Sequence, residues 1–566
     1  MLNQIHTFEC GCSFPIIGPP IGKSKIPLLD LNLDIETIRM DCPGTWQLIS
    51  KGLTKGVFQL ESNLGKQYAK KLRPENIEHM AALGSLLRPG SLRALDDKGI
   101  SMTDHYCLRK NKEEETVIKY PELNEILGPT YDVIAYQEQC MQIAVKVAGF
   151  TEQESDNLRK AIGKKLPEEM AKVKKMFLEK GEQAGILTKE ALEEIFGWIE
   201  KSQRYSFNKS HAVGYALNGY LSAYCKYHFP LQFYTSYLAS SKDTQKPTEE
   251  IRELVNDTKL MKIEVKPHDI RMKNHDFVND GEFIYFGLRN IKGVGESGCK
   301  NVSEILSLFD VANSKWFGIL IQFSRLPSLF EKLILAGCFD FLGLQRQFML
   351  YELRCLNKLS EGELDWIYYN AHRFTSLKEA LVAALKPKYR TTKKKKDLGL
   401  LLTEIKPVDL DDYGAAATVK SVNKIKSIIR SLDNPPISLE DTVDFIVQNE
   451  EELLGVAITC SRIDDKNTYI ANCTCSEFIK INQKNIIIAA EIQEVKVIKI
   501  KNGQNCGRQM AFLTVSDNTG SLPDITIFSD AYDKYKNMLQ INNTIMLRGK
   551  KDYKRKCLIA DEIYQL

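Results

Sequence analysis

A change of period along the chain constrains its folding more than any other feature. From Glu36 to about Ser241 apolar residues recur three or four apart, as in Ile77, Met80, Ala81 and Leu83 and again in Met141, Ala144, Val145 and Ala148, the spacing of helices with one buried face. From Asn485 onward the rhythm is that of strands, in runs Ile486 to Ala490, Val495 to Ile500, Met510 to Val515, Asp524 to Phe528 and Thr544 to Gly549, with turn residues at Lys501-Asn-Gly503 and Asp517-Asn-Thr-Gly520. Five short runs at that spacing suggest a small barrel. A helical body and a barrel cannot share one layer, and 566 residues correspond to about three to five domains. The expected fold class is therefore multidomain: a large, mainly α region, a small α-rich module and a C-terminal β-barrel.

Composition sets the class. With 43% apolar and 27% charged residues the chain lies well away from the disordered corner. No window approaches the roughly 18 apolar residues of a membrane helix, and Met1 to Phe14 lacks a basic stretch followed by an apolar one. The expectation is a protein neither spanning nor secreted. Fourteen cysteines spread singly from Cys10 to Cys557 read as reduced thiols, which points to the cytoplasm. A net charge of +4 is too small to argue for nucleic acid, so local clusters must carry that argument.

The expected divisions are a loop-rich opening segment at 1–35 with a short strand or two, a helical domain at 36–245, a module at 250–345, a helical connector at 346–484 and the barrel at 485–566. Thr151-Glu-Gln-Glu154 has the form of a capping box starting a helix that Gly163 should end, and a second helix is expected from Pro167 to Glu182. The connector carries the run Lys393 to Lys396 and the breaker Asn434-Pro-Pro436.

Four constellations could carry chemistry. Gln203-Arg-Tyr-Ser-Phe-Asn-Lys-Ser-His-Ala212 places Asn208, Lys209, Ser210 and His211 in a row, a cation with several neutral donors suited to a phosphate or nucleobase. The same residues also suit a solvated interhelical loop with a capping Asn or Ser. Leu158-Arg-Lys-Ala-Ile-Gly-Lys-Lys165 puts Arg159, Lys160, Lys164 and Lys165 at a helix C-terminus, where cations meet the helix dipole favourably with or without an anionic ligand. Tyr136-Gln-Glu-Gln-Cys-Met141 means little alone. In Ile291-Lys-Gly-Val-Gly295, Gly293 and Gly295 let backbone N–H groups approach a phosphate beside Lys292, as in helix-hairpin-helix modules, although a plain turn fits too.

For metals, Cys10-x-Cys12 with His6 or Cys42, and Cys473-x-Cys475 with Cys460, are the tight groupings; neither has paired C-x2-C spacing, so free thiols are the expectation and no zinc site is assigned. Asp30-x-Asn32-x-Asp34, Asp409-x-Asp411-Asp412 and Asp464-Asp465 are acidic pairs of the kind that loops and helix starts commonly carry.

In order, Gly56-Val-Phe-Gln-Leu-Glu-Ser62, Leu87-Arg-Pro-Gly90, Thr130-Tyr131 with Tyr136-Gln-Glu-Gln139, Leu158 to Lys165 and Tyr205-Ser-Phe-Asn-Lys-Ser-His211 closely resemble successive motifs of the bacterial replicative DNA polymerase III alpha subunits, the C-family polymerases. The resemblance is strong over about 36–345 and looser over 485–566, whose β-rich tail is similar to that family's OB domain. It implies a fingers domain binding the incoming dNTP through Arg159, Lys160, Lys164, Lys165, Asn208, Lys209, Ser210 and His211. It also implies a helix-hairpin-helix segment and OB barrel that contact template-primer DNA, with Arg88, Lys292, Gly293, Gly295, Lys496, Lys499 and Arg508 as DNA-binding residues. Phe512 and Phe528 could stack on bases or belong to the core.

In that family a palm with three catalytic aspartates precedes the fingers, whereas only about 35 residues stand before them here, so no catalytic residue is assigned and the palm is expected on a separate, palm-bearing chain. Cys338-Phe-Asp-Phe-Leu-Gly-Leu344 is similar to a palm string, but it follows the hairpin module directly and Asp340 is read as structural. Mg2+ is expected for the assembled polymerase, with its ligands elsewhere. Lys396-Asp-Leu-Gly-Leu-Leu-Leu402 is a candidate for holding a sliding clamp, although it lacks the family's Gln. The reading is a component of a split replicative polymerase, such as a phage might encode, with no membrane partner. The alternatives are a nucleic-acid-binding accessory protein and an inactive polymerase remnant.

Overall fold

The structure is a computed structural model that describes residues 4–7, 10, 12–16, 35–93, 95–96, 99–164, 167–202, 206–385, 419–478, 481, 483, 485–500, 504–552 and 557–566. The motif positions Lys165 and 203–205, the acidic groups at 30–34 and 409–412, the lysines 393–396, the segment 396–402 and the turn 501–503 lie outside the described residues. The chain divides into two compact units, Met1–Phe233 and Tyr234–Leu566.

The first unit opens on an antiparallel hairpin of β1 (Gln4–Thr7) and β2 (Ser13–Ile16). Helices α1 (Pro43–Ser50), α2 (Asn63–Leu72), α3 (Ile77–Leu86), α4 (Pro89–Arg93), α5 (Met102–Lys110) and α6 (Asn124–Leu127) follow. Next, α7 (Gln137–Ala148), α8 (Glu152–Lys164), α9 (Pro167–Ala184) and α10 (Lys189–Ser202) enclose a core of Ile143, Val147, Leu158, Phe177, Leu192 and Phe196. The capping box forms: Thr151 N–H donates to Glu154 Oε2 at 2.9 Å, and Glu154 N–H donates to Thr151 Oγ1 at 3.3 Å. Helix α8 runs through Gly163 to Lys164 rather than stopping there. A helical glycine costs about 1 kcal/mol against alanine, which packing on α7 and α9 outweighs.

The last helix lying wholly within this unit, α11 (Lys209–His228), lies against α3 and α1. Gly219 permits the approach, because a Cβ there would come 2.3 Å from Met80 Cε and 2.9 Å from the Phe58 carbonyl oxygen. Backbone contact that close admits only a hydrogen at this position.

In the second unit β3 (Val265–Lys266), β4 (Val278–Asn279) and β5 (Ile284–Tyr285) form a small sheet of order β3-β5-β4. Helices Gly295–Leu308, Trp316–Phe323 and Pro327–Leu335 follow, with the rings of Trp316, Phe323, Phe330 and Phe339 packed on one another. Arg346, 2% exposed, donates to Asp340 Oδ1 at 3.0 Å, to the Leu335 carbonyl at 3.1 Å and to Glu450 Oε1 at 2.9 Å. The Asp340 carboxylate is thus one arm of a buried ion-pair network.

The chain ends in a closed five-stranded barrel of β6 (Ile486–Lys499), β7 (Gln509–Asp517), β8 (Gly520–Ile527), β9 (Thr544–Asp552) and β10 (Cys557–Gln565), in the order β10-β8-β7-β6-β9. β8 and β10 pair in parallel, the other neighbours antiparallel, and the helix Ser529–Tyr535 links β8 to β9. This is an OB-like barrel, closed so that no edge is left unpaired. The runs 486–490 and 495–500 are one strand, its register shifted by a bulge between Ile492 and Glu494 that hides its continuity from a period-2 reading. The fifth strand is instead β10, whose polar residues Asp561 and Glu562 interrupt the apolar run.

Candidate functional site

The polar cluster at 206–211 turns out to be the start of α11, built jointly with the start of α7. Asn208 caps α11, its Oδ1 accepting from His211 N–H at 2.9 Å. Its Nδ2 donates to Glu138 Oε1 at 2.9 Å, while Lys209 N–H donates to Glu138 Oε2 at 2.9 Å. One carboxylate in the first turn of α7 therefore satisfies the cap and an orphan amide of α11, favourably placed at the positive ends of both helices. Buried Gln139 locks the approach: its Oε1 accepts from Ala135 and Tyr136 N–H at 2.8 and 3.0 Å, and its Nε2 donates to Thr130 Oγ1 and the Ile126 carbonyl at 2.7 and 3.0 Å. The Thr130 and Tyr136-Gln-Glu-Gln139 motif, uninformative by itself, is the scaffold of this helix start.

Beside it lies a cleft. Arg88 stands over the Phe207 ring, guanidinium carbon 3.8 Å from the centroid, and His211 packs edge-on against both Phe207 and Tyr215. Gln59 lines the same cleft with φ at 68°, a conformation that costs a non-glycine residue on the order of 1–3 kcal/mol and recurs where a side chain is held for function. Phe58, 39% exposed, stacks on Tyr215 with centroids 5.1 Å apart. Among the described residues Arg88 and His211 form no ion pair with a carboxylate, so their hydrogen-bonding edges remain open to an anion. Lys209 is 3.5 Å from Glu78 at an exposed position, a pair that contributes little. Deeper in α3, His79 hydrogen-bonds the Tyr131 hydroxyl at 2.9 Å, and burial, with Lys110 nearby, pushes its pKa down to about 4, leaving it neutral.

The structure brings Arg88 and His211 together, and Phe207, Tyr215 and Gln59 join them unforeseen. Their apolar or neutral character carries no sequence signal of ligand binding. Arg159 and Lys160 lie on α8, where both pair with Asp156 at 2.7 and 2.8 Å, and Lys164 is that helix's last residue. Among the described residues no hydrogen bond or ion pair joins them to Asn208–His211; α8 packs on α7 and α9.

In the second unit Gly293 and Gly295 both have positive φ, 79° and 55°, and Gly295 opens the helix Gly295–Leu308. Lys332 Nζ donates to the Gly293 carbonyl at 3.1 Å, and Lys292 is exposed while its N–H is tied to the Leu453 carbonyl at 2.8 Å. On the barrel, Lys496 and Lys499 are exposed on β6, and Lys496 faces half-buried Phe512 across the β6–β7 ladder. Arg508 pairs with Asp530 and Asp533, each at 2.7 Å, and is neutralised locally. Phe528 is 44% exposed, and neither phenylalanine belongs to the barrel core.

The acidic groups among the described residues do not fit a catalytic Mg2+ pair. Asp340 is committed to Arg346, and Asp464 accepts from Ser461 N–H and Asn518 Nδ2 at 2.8 and 2.6 Å. Among the described residues the group of three or more convergent metal ligands is instead Cys10, Cys12, Cys42 and His228. Cys473 and Cys475 are core residues of the barrel.

Comparison with known proteins agrees with these elements. Residues 24–185 match the model of the bacterial DNA polymerase III alpha subunit finger domain, and residues 262–349 match a helix-hairpin-helix motif. The chain is 30% identical over 533 residues to the DNA polymerase III subunit alpha of Aquifex aeolicus, covering 92% of this chain and 38% of the relative. It is 30% identical over 537 residues to that of Escherichia coli K12, covering 91% and 40%, and 29% identical over 547 residues to that of Staphylococcus aureus MSSA476, covering 95% and 44%. The chain thus spans about two fifths of the length of the relatives it matches.

Proposed function

We propose, from the family this chain belongs to, the bacterial DNA polymerase III alpha subunits, that it supplies the nucleotide- and DNA-holding parts of a replicative DNA polymerase, and that a separate palm-bearing polypeptide supplies the metal-binding carboxylates. The observation that carries this is the cleft at the start of α11, where the Arg88 guanidinium and the His211 imidazole line one wall beside aromatic rings, with no carboxylate partner among the described residues. Phosphoryl transfer is catalysed largely by positioning and by neutralising charge, which is the chemistry such a cleft provides. Arg88 contacts the primer-terminal phosphate and His211 the incoming dNTP, so that the DNA and nucleotide sites adjoin. Lys209 and Ser210 add donors at the same helix start, Arg159 and Lys160 turn to the triphosphate once it competes with Asp156, and Lys164 and Lys165 are further cations for it. The hairpin at Lys292–Gly295 and the barrel face of Lys496 and Lys499 hold the duplex and the template strand, and the segment 396–402 is a candidate tether for a sliding clamp. Mg2+, when bound to the assembled polymerase, neutralises phosphate charge.

A nucleic-acid-binding accessory role is the second reading, favoured by the lack of a carboxylate ligand group among the described residues. Primer extension with a palm-bearing partner added separates the two. Arg88→Lys, Arg159→Lys, Lys209→Ala and His211→Ala should each lower nucleotide affinity or turnover about ten- to a hundredfold, the worth of one charge-assisted contact. Arginine-to-lysine replacement keeps the charge and loses the bidentate fork. If all four match an exposed control, Lys172→Ala, in nucleotide dependence while DNA binding persists, the accessory reading stands instead.

A further inference from the structure

We infer that Cys10, Cys12, Cys42 and His228 form a structural site for one thiophilic divalent cation of the zinc class. Their ligand atoms all lie within 4.8 Å of one another. Cys42 Sγ is 3.4 Å and Cys10 Sγ 3.9 Å from His228 Nε2. A tetrahedral ion with bonds of about 2.3 Å to sulfur and about 2.0 Å to nitrogen separates sulfur from nitrogen by about 3.5 Å, which lies between those two values. Three sulfurs and one imidazole nitrogen are a soft donor set that selects zinc over magnesium or calcium. On binding, the three sulfurs coordinate as thiolates and release their protons to solvent, and His228 coordinates through the Nε2 lone pair with its remaining proton on Nδ1.

Cys12 is 1%, Cys42 0% and His228 5% exposed and Cys10 is half-buried, and four protein ligands fill a tetrahedral ion as in structural zinc sites, leaving no position for a substrate. Its surroundings hold the ligands in place. Cys42 N–H donates to the Tyr220 hydroxyl at 3.1 Å, that hydroxyl donates to the Arg39 carbonyl at 2.6 Å, and the Tyr224 and Tyr227 rings pack on the His228 imidazole at 4.2 and 4.9 Å.

A second, independent observation gives the ion a task. Strands β1 and β2 have four residues each and, among the described residues, pair with each other alone, and a two-stranded hairpin is marginal in water. Cys10 and Cys12 lie between these strands, Cys42 immediately precedes α1, and His228 is the last residue of α11. An ion held by all four staples the hairpin to the helical body at one end of α11, about 28 Å from the cleft at its other end, for a helix of 20 residues. Its role is therefore in stability rather than in nucleotide handling.

The full chain, purified without chelator, should contain about one zinc per chain by elemental mass spectrometry. X-ray absorption at the zinc edge should show three sulfurs at about 2.3 Å and one nitrogen at about 2.0 Å, a measurement that needs no variant. Cobalt substitution should give the charge-transfer and visible bands of a tetrahedral thiolate site. Cys12→Ser and Cys42→Ser should lose the metal, while Cys473→Ser, in the barrel core, should keep it. The proposal is overturned by any of three results: metal far below one per chain with all three thiols reactive in the native protein, a disulfide between two of them, or zinc whose spectrum shows only oxygen and nitrogen ligands.

Discussion

Gln139 shows how much a single side chain can organise. It serves four buried backbone or hydroxyl partners, and no smaller or apolar residue can satisfy them all. Gln139→Leu leaves those groups without a partner and out of water, each at about 1–3 kcal/mol, so a loss of at least 3 kcal/mol is expected by urea denaturation of the full chain. Glu138→Gln is the milder change: it keeps one acceptor for the α11 cap and loses the charge at the two helix starts. Here the expected result is a loss of about 1–2 kcal/mol together with weaker dNTP binding. A Glu138→Gln protein with unaltered nucleotide affinity would detach the cap from the cleft.

At the scale of elements, the small sheet and the barrel make opposite electrostatic choices. His268, fully buried beside β3, must donate Nδ1–H to the Phe286 carbonyl at 2.9 Å, which leaves Nε2 enclosed without a partner among the described residues. Burial pushes its pKa down to about 4, below the ordinary value of 6.5. A histidine whose folded pKa is depressed stabilises fully above the unfolded value and loses that contribution as pH falls from about 6.5 toward 4, because the unfolded chain then binds the extra proton. Glu491, pushed up to about 7 by burial, acts oppositely over much of that range. The comparison must therefore be between the native chain and His268→Asn, both of which contain Glu491. From pH 7.5 to 5 the native chain should lose about 2 kcal/mol more than the variant in denaturant titrations, and equal losses would refute the assignment. On the barrel, Lys496→Ala and Lys499→Ala should each weaken single-strand binding and lower the salt slope by about one. Arg508→Ala should change neither, since Asp530 and Asp533 already occupy that guanidinium.

At the scale of the whole molecule, the chain given Mg2+, primer-template and dNTPs should extend no primer until a palm-bearing polypeptide is added, because two-metal transfer needs carboxylates free to hold metal, whereas Asp340 and Glu450 are both taken up by Arg346 and the convergent group of three or more metal ligands among the described residues is the Cys10, Cys12, Cys42 and His228 set. Extension by rigorously pure protein would overturn the division of labour. The sequence by itself determined the helical body, the capping box at Thr151–Glu154, the barrel and the order of the polymerase motifs, since periodicity, caps and motif spacing are local properties of neighbouring residues. Only the tertiary structure decided which polar groups are spoken for. Glu138 meets Asn208 across 70 residues, His228 meets Cys42 across 186, and Arg508 is claimed by Asp530 and Asp533, while Arg88 beside Phe207 has no ion-pair partner among the described residues. Whether a charge is paired or available depends on what the fold packs within a few ångströms of it, and no local pattern encodes that distance.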